Sequence, residues 1–147
     1  MLPINILVID GHPDPDPGRL CHALASTYAK GAETAGHAVR RIDLAGLEFP
    51  LLRTAAEFQE AATAPDIIAA QEAIAWADHV VIVFPLWLGT MPALLKAFLE
   101  RTITPRFAFL REGEGFAKKL LSGKSARIVV TMGMPGSVYR FFYFAHG

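Results

Sequence analysis

A single cysteine, Cys21, stands in a chain of 147 residues. That excludes an internal disulfide and any all-cysteine metal site, and sets the expectation of a reducing, cytoplasmic setting. Charge of one sign is not in excess either. Lys and Arg number 14 against 14 Asp and Glu, so no net field draws the chain toward nucleic acid or an anionic membrane surface. Apolar runs such as residues 80–88 fall far short of the ~20 residues that span a bilayer. The first ten residues lack the basic start and cleavage site of a leader. No His, Cys or carboxylate group shows metal-ligand spacing, there are no repeats, and neither a glycine-rich dinucleotide fingerprint nor a P-loop occurs. The expectation is one soluble domain over residues 1–147, with no metal, no nucleic-acid partner and no membrane span.

What is present is apolar surface to bury. Apolar residues make up 52% of the chain and charged residues 19%, a balance that excludes disorder and supports a real core. Residues 4–10 (INILVID) form a β-branched, nearly all-apolar run that reads as a strand buried on both faces. Asp16 and Pro17 read as an N-cap and first helical residue, followed by Leu20, Ala23, Leu24, Tyr28 and Gly31 at helical spacing toward Gly36. Residues 37–43 are a less apolar strand, expected nearer an edge. Residues 45–64 read mostly as loop, with residues 49–52 tucked over the sheet. A helix over 66–77, capped near Pro65 and Asp66, buries Ile67, Ala70, Ile74 and Ala77. Residues 79–84 form the most apolar strand, 92–101 a helix with proline in its first turn, and 126–131 a fourth strand. Strands alternating with helices imply an α/β, doubly wound parallel sheet in a three-layer α/β/α arrangement.

Ligands of such sheets bind beyond the carboxyl ends of the strands, where the winding reverses. Three loops lie there: residues 11–19, 85–91 and 132–139. The first leads into a helix N-terminus, a ready anion site for a cofactor phosphate, with His12 and Arg19 able to add hydrogen bonds or charge. Asp14 and Asp16 would repel a phosphate unless turned elsewhere, and Cys21 reads as a small packing residue. Residues 84–89 (FPLWLG) offer backbone amides and an indole, a suitable wall for a flat aromatic cofactor. Residues 131–136 (TMGMPG) give the third wall a permissive backbone.

Taken together, Gly-His-Pro at 11–13, Phe-Pro-Leu-Trp-Leu-Gly-Thr-Met-Pro-Ala-Leu-Leu-Lys at 84–96 and Thr-Met-Gly-Met-Pro at 131–135 resemble the NAD(P)H:quinone oxidoreductase family of flavodoxin-like flavoproteins. Quinone reductases of the modulator-of-drug-activity-B type and the ancillary reductases of potassium efflux systems belong to that family. The resemblance implies a flavodoxin-like fold, FAD or FMN as cofactor, NAD(P)H as co-substrate, a quinone-like acceptor, and a homodimer with the active site at the subunit interface. It places His12, Arg19, Leu20 and Cys21 at the flavin phosphate end, and Pro85, Leu86, Trp87, Leu88 and Gly89 beside the ring. Thr131, Met132, Gly133 and Tyr139 close the third side. Phe107, Ala108 and Phe109 fall near the subunit interface. Tyr139 and His146 correspond to the tyrosine and histidine that aid charge and proton balance during hydride transfer; their spacing is wider than in mammalian-type members, which makes Tyr143 a rival to Tyr139.

Family domains continue with a further helix and a fifth strand, so the last strand is expected to be missing and residues 140–145 (RFFYFA) to form an apolar stub. Rival readings are an FMN-dependent azo- or nitroreductase, a regulatory flavoprotein subunit, a flavodoxin-like electron carrier and a non-enzymatic interaction domain. The neutral charge balance and the Gly-His-Pro loop set the chain apart from an acidic electron carrier with a hydroxyl-rich phosphate loop.

Overall fold

A computed structural model describes residues 2–110, 118–119 and 121–143. In chain order the strands are β1 (Asn5–Asp10), β2 (Ala38–Asp43), β3 (His79–Pro85), β4 (Phe109–Leu110), β5 (Lys118–Lys119) and β6 (Ser125–Thr131). The helices are α1 (Leu20–Thr34), α2 (Ala55–Gln59), α3 (Pro65–Trp76), α4 (Ala93–Thr102), α5 (Pro105–Ala108) and α6 (Gly136–Tyr143). β2, β1, β3 and β6 form one sheet in that order, every pair parallel. β4 and β5 form a separate antiparallel pair.

The sheet separates two cores. Leu7 and Ile9 of β1 face Ile67, Ala70, Ala73 and Ile74 of α3 and Leu95 and Phe98 of α4. The alternate residues Ile6 and Val8, with Val81 and Val83 of β3, face Cys21, Ala25, Ala29 and Ala32 of α1. The alternation follows from the two-residue period of a strand, and an all-apolar strand is required when both faces are covered. The small residues on α1 let its axis approach the sheet closely. The chain steps outward from β1 to β2, then returns past β1 to β3, so the winding reverses at β1 and β3 and opens a crevice at their carboxyl ends.

The four-stranded parallel sheet, the edge position of β2 and the helical stripe Ile67, Ala70, Ile74 and Ala77 agree with the sequence reading. Among the described residues β6 forms the other edge, with Ile128 63% and Val130 38% exposed.

Several local expectations are corrected. Asp16 is not the N-cap of α1: the helix begins at Leu20 behind Arg19, and Asp16 instead closes a turn by accepting from the Gly18 amide at 3.0 Å. Three prolines, at 13, 15 and 17, keep this stretch from winding into helix sooner. Ala64 is the cap position of α3, with Pro65 in its first turn, while the Asp66 carboxylate accepts from the Glu48 amide at 2.7 Å and ties the preceding loop to the helix. Where loop is expected, residues 44–64 contain two elements: a 3-10 turn at Leu44–Gly46, and α2, capped by Thr54. Phe49 does tuck inward, its ring 6.0 Å from that of Phe98, but Leu51 is 53% exposed. Residues 136–139, read as loop, begin α6.

Candidate functional site

The first loop, residues 11–19, is held almost entirely by its own polar groups. With prolines at 13, 15 and 17 it has few amide donors, and the structure assigns an acceptor to each of those that remain. Gly11 donates to the Val83 carbonyl at 2.7 Å, stitching the loop to β3. His12 donates to Asp10 Oδ1 at 3.3 Å, Asp14 to His12 Nδ1 at 3.1 Å, and Asp16 to Asp14 Oδ1 at 2.9 Å. Gly18 donates to Asp16 Oδ1, and Arg19 to the Asp16 carbonyl at 3.1 Å. The donors without an acceptor among the described residues are then the Leu20 and Cys21 amides, in the first turn of α1. The anion-binding capacity expected of this region therefore narrows to that turn.

Two carboxylates hold Arg19: its Nη2 lies 2.7 Å from Asp14 Oδ2 and 3.3 Å from Asp16 Oδ2. The Asp16 amide, and after it Arg19, holds the Asp14 carboxyl below its ordinary range against the opposing effect of desolvation. Asp14 and Asp16 thus turn toward the guanidinium, as a nearby phosphate would require, and partly neutralise it.

Beneath the loop lies a pair that the sequence reading passed over. Asp10, only 1% exposed at the end of β1, places Oδ2 2.5 Å from His22 Nδ1, while His22 Nε2 is 2.9 Å from the Asp14 carbonyl. Burial alone would lower the His22 pKa. The hydrogen bonds to Asp10 and Asp14, with the charges of Asp10 and Asp43, outweigh it and raise the pKa above 6.5. His12 goes the other way. Burial pushes it below 6.5 and the nearby His22 and Arg19 add to the effect, against Asp14 and Asp10. Because His12 Nδ1 accepts the Asp14 amide, the neutral ring carries its proton on Nε2. An acid ending a buried strand was the available signal for Asp10; nothing in the local pattern marks His22.

The second loop is a tight hairpin. Trp87 and Thr90 exchange backbone bonds of 2.9 and 3.1 Å, with Leu88 at φ 50° and Gly89 at φ 79° between them, as a type I′ turn requires. Leu88 bears this left-handed backbone with its side chain fully exposed, a local strain of about 1 kcal/mol. Leu86 donates to the Thr131 carbonyl at 2.7 Å, which engages the second loop with the end of β6. Trp87 stands edge-on to His12 with ring centroids 5.7 Å apart. The Leu88 and Gly89 amides have no acceptor among the described residues.

Thr131 joins the third side to the first, its hydroxyl 3.2 Å from Cys21 Sγ. Burial raises the Cys21 thiol above its ordinary value, partly offset by this hydrogen bond, so the residue packs rather than reacts. Tyr139, on α6, reaches back to the hairpin: a Cβ added at Gly89 would lie 3.4 Å from its hydroxyl. Met132 and Met134 are 37% and 38% exposed, and space around Gly133 is open. Of the residues expected at the site, then, His12, Arg19, Leu20, Cys21, Pro85 to Gly89, Thr131 to Gly133 and Tyr139 all lie at the carboxyl end of the sheet or on α6 beside it. His146 lies outside the described residues, as does the side chain of Tyr143. Phe107 packs against the α3 and α4 core. Phe109 lies in β4.

The comparisons with known proteins agree with the motif resemblance. Ribosyldihydronicotinamide dehydrogenase-like protein traD of Penicillium crustosum is 31% identical to the chain, over 88% of it and 58% of that protein. FMN-dependent NADH:quinone oxidoreductase 9 of Burkholderia lata is 28% identical, over 90% of the chain and 71% of that protein. A solved structure from Klebsiella pneumoniae, described provisionally as a quinone reductase, superposes with a TM-score of 0.70 at 26% identity, over 88% of this chain and 60% of that one. The chain spans less than two thirds of the first and third of these. Residues 4–146 match the family described as having the flavodoxin-like fold, and the chain belongs to that family.

Proposed function

We propose that this chain is the flavin-binding part of an NAD(P)H:quinone oxidoreductase that carries two electrons at a time from NAD(P)H to a quinone-like acceptor. The observation that carries the reading is the convergence of three loops at the winding reversal, cross-linked by Leu86 to Thr131, Cys21 to Thr131 and Tyr139 against Gly89. The residues fit FMN or FAD: amide donors of Leu20 and Cys21 for a phosphate, an exposed indole edge for the ring, and open space at Gly133. The FMN-dependent Burkholderia relative supports the same choice. When bound, the flavin supplies a ring that accepts a hydride from the reduced nicotinamide and yields it to the acceptor.

The chain's own residues would act by position. The first turn of α1 holds the phosphate end, with Arg19 alongside. His12, neutral and bearing its proton on Nε2, offers a donor at the bottom of the crevice. Leu88 and Gly89 amides address the ring edge where negative charge gathers on reduction. Tyr139, its hydroxyl near the hairpin at Gly89, would hold a proton near the acceptor; His146 belongs to the same proposal by family resemblance alone. An apolar groove of about 520 Å³ beside Trp87, Leu88, Met91 and Pro92 suits a flat quinone. A homodimer that covers the exposed Leu88, a single domain over residues 1–147 and a cytoplasmic location complete the reading; no described helix is long and apolar enough to cross a membrane.

The experiment is an anaerobic cycle on the flavin-loaded protein. NADPH should bleach the flavin absorption and a quinone should restore it, with turnover in the presence of both. Flavin that binds but is never bleached by NADPH or NADH would overturn the reductase reading. Restoration by azo dyes or nitroaromatics but not by quinones would reassign the acceptor.

A further inference from the structure

Asp10 and His22 do something that flavin chemistry does not call for. Both His22 nitrogens face acceptors, a carboxylate oxygen at 2.5 Å and a peptide carbonyl at 2.9 Å. A neutral imidazole has one N–H and would leave one of these contacts acceptor to acceptor; only the imidazolium donates to both. The His22 amide itself donates back to the Arg19 carbonyl at 3.1 Å. Asp10 meanwhile accepts from the His12 amide through its other oxygen. One buried carboxylate and one imidazolium therefore hold the first part of the loop, at His12 and at Asp14, in a stretch where prolines have removed backbone donors that would otherwise do so.

We propose that the Asp10–His22 pair is the positioning element of the 11–19 loop, and that the loop is ordered only while His22 carries its second proton. The charged and titratable groups around His22 all bear on this. Asp10 from β1 and Asp14 from the loop favour the imidazolium, as does Asp43 at the end of β2, itself paired with Arg41 at 2.7 Å. His12, its ring centroid 5.5 Å away, is held toward its neutral form, and Arg19 is partly offset by Asp14 and Asp16; Cys21, the preceding residue on α1, is a thiol held toward its uncharged form. Two imidazoles in contact are thus fixed in opposite states, His12 as an acceptor and His22 as a double donor.

The sign follows. A group whose pKa is raised by the ordered loop stabilises that loop fully below its unperturbed value of 6.5 and loses the contribution as pH rises through the raised value. Protonation of His12, whose pKa is lowered, removes the acceptor for the Asp14 amide on the acid side. Loop order is therefore greatest between the two titrations. The consequence for flavin affinity rests on the function proposed above; the loop order does not.

The test uses the whole chain, flavin-free, with imidazole resonances following His12 and His22 separately. Amide exchange at Asp14, Asp16, Gly18 and Arg19, corrected for intrinsic chemistry, reports loop order across the same pH range. Protection should fall by up to about tenfold per pH unit as His22 loses its proton, and His22→Gln should lack that alkaline limb. Asp10→Asn, which removes a charge that favours the imidazolium, should shift that limb to lower pH, and carries the test if His22→Gln does not fold. Protection that stays constant through the His22 titration, or an unaltered profile in a folded variant, overturns the proposal. FMN affinity should follow loop protection in the parent protein and in each variant, its alkaline limb absent from His22→Gln and moved in Asp10→Asn; identical FMN profiles in all three would contradict the link to ligand. FMN that binds at no pH sinks the flavin reading, and the exchange data then decide the positioning role by themselves.

Discussion

At the residue scale the site depends on close approaches more than on charged groups. Gly11 is the sharpest case: a Cβ there would lie 2.8 Å from Leu95 Cδ2, 3.0 Å from the Val83 carbonyl and 3.2 Å from Phe84 Cβ. Val83 and Phe84 belong to β3, an inner strand of the sheet, and have little room to yield. Gly11→Ala should cost about 1–3 kcal/mol and loosen the loop from β3, read as a fall in the thermal midpoint together with weaker flavin binding. An unchanged midpoint would mean that β3 yields more readily than its place in the sheet implies. Cys21 is a second residue whose closeness of packing can be read directly. Buried, with its thiol raised above the ordinary value, it should alkylate far more slowly in the native protein than in denaturant at about pH 8; equal rates would show that α1 opens freely. His12 and the hairpin residues were legible in the sequence because glycine, proline and aromatic residues cluster in them. The pairing of Asp10 with His22 was not, since it depends on how a proline-rich loop folds back over a strand end, which no local periodicity encodes.

At the scale of elements the sequence was most informative where burial is regular. The strands at 5–10 and 79–85 and the helix at 65–76 lie within a residue or two of where their apolar periods put them. It was least informative where an element is short and weakly apolar. α2 buries none of its residues and is held at its N-terminus by Thr54, whose Oγ1 accepts from the Glu57 amide at 3.2 Å while Glu57 reaches back to the Arg53 amide at 3.4 Å. This is a variant of the capping box in which the glutamate reaches the amide before the cap rather than that of the cap itself, and the Thr-x-x-Glu spacing was the available signal. Thr54→Ala should destabilise α2 by about 1 kcal/mol, seen as faster amide exchange at residues 55–59 with the sheet unaffected. Equal exchange would show that packing of Phe58, rather than the cap, holds the turn. α6 was missed because a Gly-Pro-Gly-rich start argues for loop, yet the Pro135 carbonyl accepts from the Val138 and Tyr139 amides at 2.9 and 3.2 Å and begins the helix.

At the scale of the whole molecule the two faces of the sheet differ in how far they are covered. Ile128 is 63% exposed on β6, although its β3 neighbour Ile82 is packed against the main core. An apolar residue at a strand edge binds hydrophobic probes and promotes association. The 147-residue chain should accordingly enhance the fluorescence of an anilinonaphthalene dye, and Ile128→Lys should remove much of that enhancement without lowering the thermal midpoint. A parent protein that leaves the dye dark would show β6 to be covered in solution.

If the three loops form one flavin site, a titration of the flavin-free chain with FMN will show it. The expected result is quenching of flavin fluorescence that saturates at about one FMN per chain with a dissociation constant of about 1 μM or tighter, accompanied by a fall in tryptophan fluorescence that a Trp87→Phe variant lacks. Flavin fluorescence that stays at its free value across the titration, with FAD giving the same result, would contradict the account.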